Sequence, residues 1–141
     1  MSKIIQSIAA ALSAVCGFMW GAMDGLLYAL ITFMILDYVT GVLVAIAQKE
    51  LSSKVGFKGI AKKVIILALV AVGHILDVHV LKGVAVCRSA VIGFYLANEG
   101  ISILENAGEL GIPLPKKLIA VLKQLKDKED KDGDSNNGSD N

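Results

Sequence analysis

The stretch Gly25–Ala47, GLLYALITFMILDYVTGVLVAIA, decides the fold class. It holds a single charged residue, Asp37. It is also longer than the roughly 20 helical residues that cross a bilayer core about 30 Å thick. Three further runs surround it. Ile4–Met23 is moderately apolar and rich in Ala, Gly and Ser; Ile60–Leu81 opens with Lys62 and Lys63 and closes with His74, Asp77 and His79; Val84–Leu104 carries Arg88, Asn98 and Glu99. The weak hydrophobicity of the first run also suits a helix lying on the membrane surface. It has no clear small-residue cleavage site and runs almost directly into the second, so it reads as a retained helix and not as a signal peptide.

The composition agrees with a membrane reading. Hydrophobic residues are 55% of the 141 and charged residues 19%, below the roughly 25% of a soluble domain. The length allows one domain at most. A net charge of +1 gives no footing for nucleic-acid binding. The expected fold is an all-α integral membrane protein with four candidate transmembrane helices, or three if the first does not cross. Short joints at Asp24–Gly25 and Lys82–Gly83 pair the four as two antiparallel hairpins. In the longer central segment, residues 48–59, Ser52 or Ser53 would cap a short helix that Gly56 and Gly59 break or bend.

Three parts follow: a transmembrane helical domain over 1–109, a turn and amphipathic helix over 110–126, and a charged tail over 127–141. The two prolines of Leu110-Gly-Ile-Pro-Leu-Pro115 stop the preceding helix. Leu118, Ile119, Leu122 and Leu125 then give the next helix one apolar face opposite its lysines. The tail has nothing apolar to bury and is expected to be disordered. Lysines concentrate in the central segment and after residue 115. With four spans, this places both termini and the central loop in the cytoplasm. If the first run does not cross, the N-terminus moves outside.

Polar residues at bilayer depth are costly and call for partners or water. Asp37 shares a face with Thr40 and Gly41; Arg88, Tyr95, Glu99, Ser102 and Asn106 form a second stripe; Lys63, His74 and Asp77 form a third. Asp37, Asp77, Arg88 and Glu99 are therefore candidates for intramembrane pairing or for facing an opening. Asp77 and Arg88 are the natural couple across the second joint. The alternative, favoured for Asp37 and Glu99, is that the stripes meet water when several copies assemble. Small residues at four-residue spacing, Gly17 and Gly21, Gly41 and Ala45, and Ser89, Gly93 and Ala97, mark seams where helices approach closely. His74, Asp77 and His79 are a poor match to metal-ligand spacing, and a solvated helix end explains them better. Cys16 and Cys87 lie inside apolar runs and read as small buried hydrophobes. With no nucleophile constellation and no phosphate-binding glycine loop, no enzyme activity, metal or cofactor is expected.

Three stretches carry a family resemblance: Leu36-Asp-Tyr-Val-Thr-Gly41, Ser52-Ser-Lys-Val-Gly-Phe-Lys-Gly-Ile-Ala-Lys-Lys63, and Asn98-Glu-Gly-Ile-Ser-Ile-Leu-Glu-Asn106 continuing through Gly108 to Lys116. In this order they resemble the phage-lysis and toxin-secretion holins of Gram-positive bacteria, a family that includes the clostridial toxin-release holin. The resemblance covers about residues 20–125. It implies a non-enzymatic homo-oligomer in the cytoplasmic membrane. That assembly opens a lesion, depolarises the cell, and releases a cell-wall hydrolase or a large toxin, with an antiholin as a candidate regulator. Lys54, Lys58, Lys62 and Lys63 match the family's basic loop, where they set topology or bind anionic lipid. Two rival readings stay open: a regulated small-solute channel subunit, and a membrane scaffold that recruits a partner through its lysine-rich C-terminal helix.

Overall fold

A computed structural model describes residues 2–135, and every regular element among them is helical. The helices are α1 (Lys3–Trp20), α2 (Gly25–Ala47), α3 (Ser53–Ile75), α4 (Cys87–Glu109) and α5 (Lys116–Ser135). A π-helical segment, Leu76–Val80, prolongs α3.

Local chemistry sets the starts. The Asp24 carboxylate accepts the Leu27 N–H at 3.0 Å and opens α2. The Ser52 hydroxyl accepts the Val55 N–H at 3.2 Å and opens α3. The helix expected from Ile60 therefore begins two turns earlier, and Gly56 and Gly59 do not break it. The Tyr38 ring explains their tolerance. A Cβ on Gly59 would meet it at 3.4 Å, and one on Gly56 would meet its hydroxyl at 3.4 Å. Packing against α2 offsets what glycine loses in helix propensity.

The core lies between α2, α3 and α4. Leu27, Leu30, Met34, Ile66, Val70 and Ile92 pack there. The other faces of α2 and α3 stay apolar and uncovered, as Ile35, Val39, Leu43, Val64, Ile65 and Val72 illustrate. A surface of this kind is matched to hydrocarbon and not to water. Three helices are long and apolar enough to cross a membrane: α1, α2, and α3 with its π-helical extension. The fourth expected span, α4, does not qualify, because Arg88, Glu99 and Glu105 interrupt it. Instead α4 is the central helix, packed on α2, α3 and α5. Gln48 Nε2 donates to Glu109 Oε2 at 2.6 Å, so α2 and α4 end together.

The first expected hairpin is not formed. α1 packs on α3 and not on α2, and none of its residues is buried. Where the two helices meet, Phe18 stacks near His79 and Gly21 lies against His74. Rising numbers on α1 thus meet falling numbers on α3, so α1 approaches from beyond the C-terminal end of α3. Trp20 anchors it, donating its indole N–H to the Leu67 carbonyl at 2.8 Å. The second hairpin does pack: at Gly73 of α3 a Cβ would stand 3.1 Å from the backbone of Cys87 and Arg88.

The C-terminal turn falls at 110–115 as expected, with Gly111 at φ 79°. Beyond it α5 runs to Ser135, past the expected change to disordered chain at Asp127. Lys123 and Asp127, like Asp127 and Lys131, stand four residues apart, a spacing that supports helix without any apolar face. The rest of the expected tail, residues 136–141, lies outside the described residues.

Gly21 has φ 78° and ψ −159°, a region essentially reserved for glycine, and a Cβ there would stand 2.7 Å from the His74 ring. Gly21→Ala should cost about 1–3 kcal/mol in thermal unfolding in detergent micelles. Gly17→Ala, with nothing within 4 Å of its Cβ position, should cost nothing. Equal melting of the two variants would refute this account of the α1 anchor.

Candidate functional site

Three charged side chains, one from each core helix, meet at one point. Lys63 of α3 donates to Asp37 Oδ2 of α2 at 2.8 Å and to Glu99 Oε2 of α4 at 2.8 Å. Each lies roughly 15 Å along its helix from the shared end, at about 1.5 Å per residue. That is half of a bilayer core about 30 Å thick. Asn106 fixes the remaining Asp37 oxygen: its Nδ2 donates to Asp37 Oδ1 at 3.1 Å and to Thr40 Oγ1 at 2.8 Å. Thr40 in turn donates to the Leu36 carbonyl at 2.8 Å. With all three ionised, the triad carries one negative charge in excess.

A cavity of about 500 Å³ leads to this triad. Leu51, Val55 and Gly59 of the α2–α3 connection and first turns of α3 wall it on one side, and Tyr95, Asn98 and Ser102 of α4 on the other. The arrangement can hold water or a small polar group beside buried charge.

Arg88 organises a second cluster at the opposite end. Its Nη1 and Nη2 donate to the two Asp24 oxygens at 2.7 and 3.1 Å, its Nε to the Trp20 carbonyl at 2.8 Å, and its Nη2 to the Ala22 carbonyl at 3.1 Å. One guanidinium thereby ties α4 to the α1–α2 joint. Asp77 does not pair with the Arg88 side chain, as the sequence led us to expect. Its carboxylate accepts the backbone N–H groups of Cys87 and Arg88 at 2.8 and 2.9 Å. A carboxylate there satisfies orphan donors and complements the positive end of α4.

Lys63 departs from the expected basic loop. Lys54, Lys58 and Lys62 are exposed, whereas Lys63 turns into the bundle. A signal existed: Lys63 lies on the helical stripe of buried Ile66, Val70 and Asp77. Asp24 and Trp20 were missed because each acts across a distance in sequence that no spacing encodes.

The glycine seams divide. Gly21 is a close contact, but Gly17 faces open space and Gly41 has only an ordinary contact, with Asn106 at 3.7 Å. Ala45 and Ala97 are buried, and Ser89 and Gly93 half-buried. The tightest interhelical approaches also include Gly73 and Gly100, neither of which has a small residue four positions away. His74 and His79 contact α1, and no group of three or more metal-binding side chains converges among the described residues. Cys16 is exposed and Cys87 half-buried.

An apolar helical bundle with a charged triad at its centre and a lysine-rich end now meets independent support. The bacteriophage holin family profile matches residues 14–127, most of the chain. The chain belongs to the bacteriophage holin family. Among its relatives is an uncharacterised 14.9 kDa protein in the nagH 3′ region of Clostridium perfringens, 46% identical over 113 residues, covering 79% of this chain and 86% of that protein. An uncharacterised Listeria monocytogenes protein is 45% identical over 128 residues, covering 86% and 91%. A probable holin of Bacillus phage phi105 is 38% identical over 82 residues, covering 57% and 59%. No solved structure matches.

Two outcomes test this site. Lys63→Met leaves two carboxylates facing each other without their shared cation and should cost about 3 kcal/mol or more in chemical unfolding in mixed micelles. Adding Asp37→Asn and Glu99→Gln should recover most of that loss; a Lys63→Met protein as stable as the parent would sink the assignment. In the joint, the Arg88 guanidinium holds the Asp24 carboxyl below its ordinary value of 3.8, helped by the Leu27 N–H. The resulting stabilisation is complete above the ordinary value and is lost as pH falls through the lowered one. Asp24→Asn should therefore flatten the acid limb of the stability profile, and an unchanged acid limb would count against the Arg88 clasp.

Proposed function

We propose that this chain acts as a holin: copies gather in the bacterial cytoplasmic membrane and open a lesion that depolarises the cell. A cell-wall hydrolase, or a large secreted protein such as a toxin, then reaches the outside. The observation that carries this reading is the Asp37–Lys63–Glu99 triad at mid-depth of a bundle whose outer faces are apolar. Within one copy Lys63 offsets one carboxylate charge and hydrogen-bonds to both carboxylates, away from lipid. If the helices separate, the same three groups need water, and a water-filled assembly of several copies supplies it. Family membership supports the lesion over other uses of a buried triad.

We take α2, α3 and α4 as the crossing helices of each copy. Lys63 and Asp24 answer Glu99 and Arg88 of α4, and Glu105 is exposed one turn from the C-terminal end of the helix. The lysine distribution favours the α2–α3 connection and the C-terminal region in the cytoplasm. The unburied α1 is available to lie in the membrane surface or to cross beside other copies. The polar-floored cavity favours one second reading, a small-solute channel subunit.

The test is membrane potential, followed by a fluorescent dye during induced expression, with and without a co-expressed cell-wall hydrolase. Holin action predicts abrupt depolarisation and lysis that needs the hydrolase. Leakage confined to one ion, without hydrolase-dependent lysis, would favour the channel. Undisturbed potential at high membrane abundance would refute both. Asp37→Leu with Glu99→Leu should abolish depolarisation at equal expression, and persistent leakage would show that these side chains do not face the opening.

A further inference from the structure

Helix α5 folds back along the bundle and does not trail away from it. Leu122 is buried, seated where α4 has no side chain: a Cβ on Gly100 would stand 2.8 Å from Leu122 Cδ2 and 3.2 Å from the Phe33 ring of α2. Gly100 adjoins Glu99 of the triad and lies roughly 14 Å from the C-terminal end of α4, at about 1.5 Å per residue. The Leu122 socket is therefore level with the triad, on the outer α2–α4 face. Lys116, Lys117, Lys123 and Lys126 are exposed on the same helix. With its lysines exposed, docked α5 keeps hydrocarbon off that face, so in the docked form this side of the bundle meets water or headgroups and not lipid tails. Leu118, Val121 and Leu125 remain exposed on docked α5, so the helix keeps an apolar surface that suits a membrane interface once it leaves the socket.

We propose that α5 is a displaceable latch. Docked through Leu122 on Gly100 and Phe33, it holds the bundle in a form that does not open the membrane. Lesion formation requires α5 to leave this face, and its lysines then lie on the anionic lipid surface. The proposal rests on the holin reading above and adds a closed state to it. The latch occupies the α4 face at Gly100, next in sequence to Glu99, so its departure uncovers the α2–α4 contact beside the triad.

A reversible crosslink tests it. The full-length chain, with Cys16→Ala and Cys87→Ala, receives Gly100→Cys and Leu122→Cys, at positions that face each other across the α4–α5 contact. It is reconstituted into phosphatidylethanolamine–phosphatidylglycerol vesicles loaded with a fluorescent dye, beside the two single-cysteine controls. The expected result is an intramolecular crosslink on oxidation, loss of dye release while it persists, and return of release on adding reductant. Equal release from oxidised and reduced protein would overturn the latch and leave the holin reading standing. Failure of the crosslink to exceed the controls would also overturn it. Absence of release from the reduced protein and from the parent would instead remove the holin reading, and the latch with it.

Discussion

A lysine held between two carboxylates, each on a different helix, is the constraint that organises this molecule. Lys63 reaches Asp37 and Glu99 at the same distance, 2.8 Å. The contact fixes the relative depth of α2, α3 and α4 and the rotation of each. Bringing three ionised groups out of water is expensive, and attraction among them repays it only when every oxygen and proton is answered. Asn106 and Thr40 complete the set around Asp37. No described buried side-chain nitrogen or oxygen lacks a partner. The apolar core of Leu30, Val70 and Ile92 then closes on one side of the triad.

The two polar clusters do different work. The central one couples three helices mainly through side chains and stands beside a cavity. The one at the opposite end is mostly side chain to backbone: Arg88 holds the carbonyls of Trp20 and Ala22, and Asp77 holds the N–H groups that start α4. An unsatisfied backbone group away from water costs several kcal/mol, and this second cluster answers the ones exposed where the chain turns at the end of the bundle. It also leaves α1 attached by its last turn alone.

A bundle of this design has two ways to satisfy its outer α2–α4 face: the chain's own α5, or an environment outside the chain. Small residues matter at that face because Gly100 lets Leu122 enter where a larger residue would hold it off.

The sequence by itself determined the helical class, the bounds of α2, the C-terminal turn and the identity of the charges that need partners. Apolar run length and the cost of charge in lipid are local properties of the chain. The family's short motifs were legible for the same reason: they are contiguous. Tertiary structure decided which charges meet. Lys63 was read both on a polar stripe with His74 and Asp77 and with its loop neighbours, and only the packing of three helices shows that it turns inward to Asp37 and Glu99. Asp77 was assigned to the Arg88 side chain because sequence gives depth but not direction, and the backbone N–H groups of α4 outcompeted it. The two-hairpin expectation failed at α1 because a short joint fixes proximity, not angle, and Gly21 turns the chain away. Gly73 and Gly100 had no small partner in register, since a close approach needs one small residue against another helix and not two on the same one.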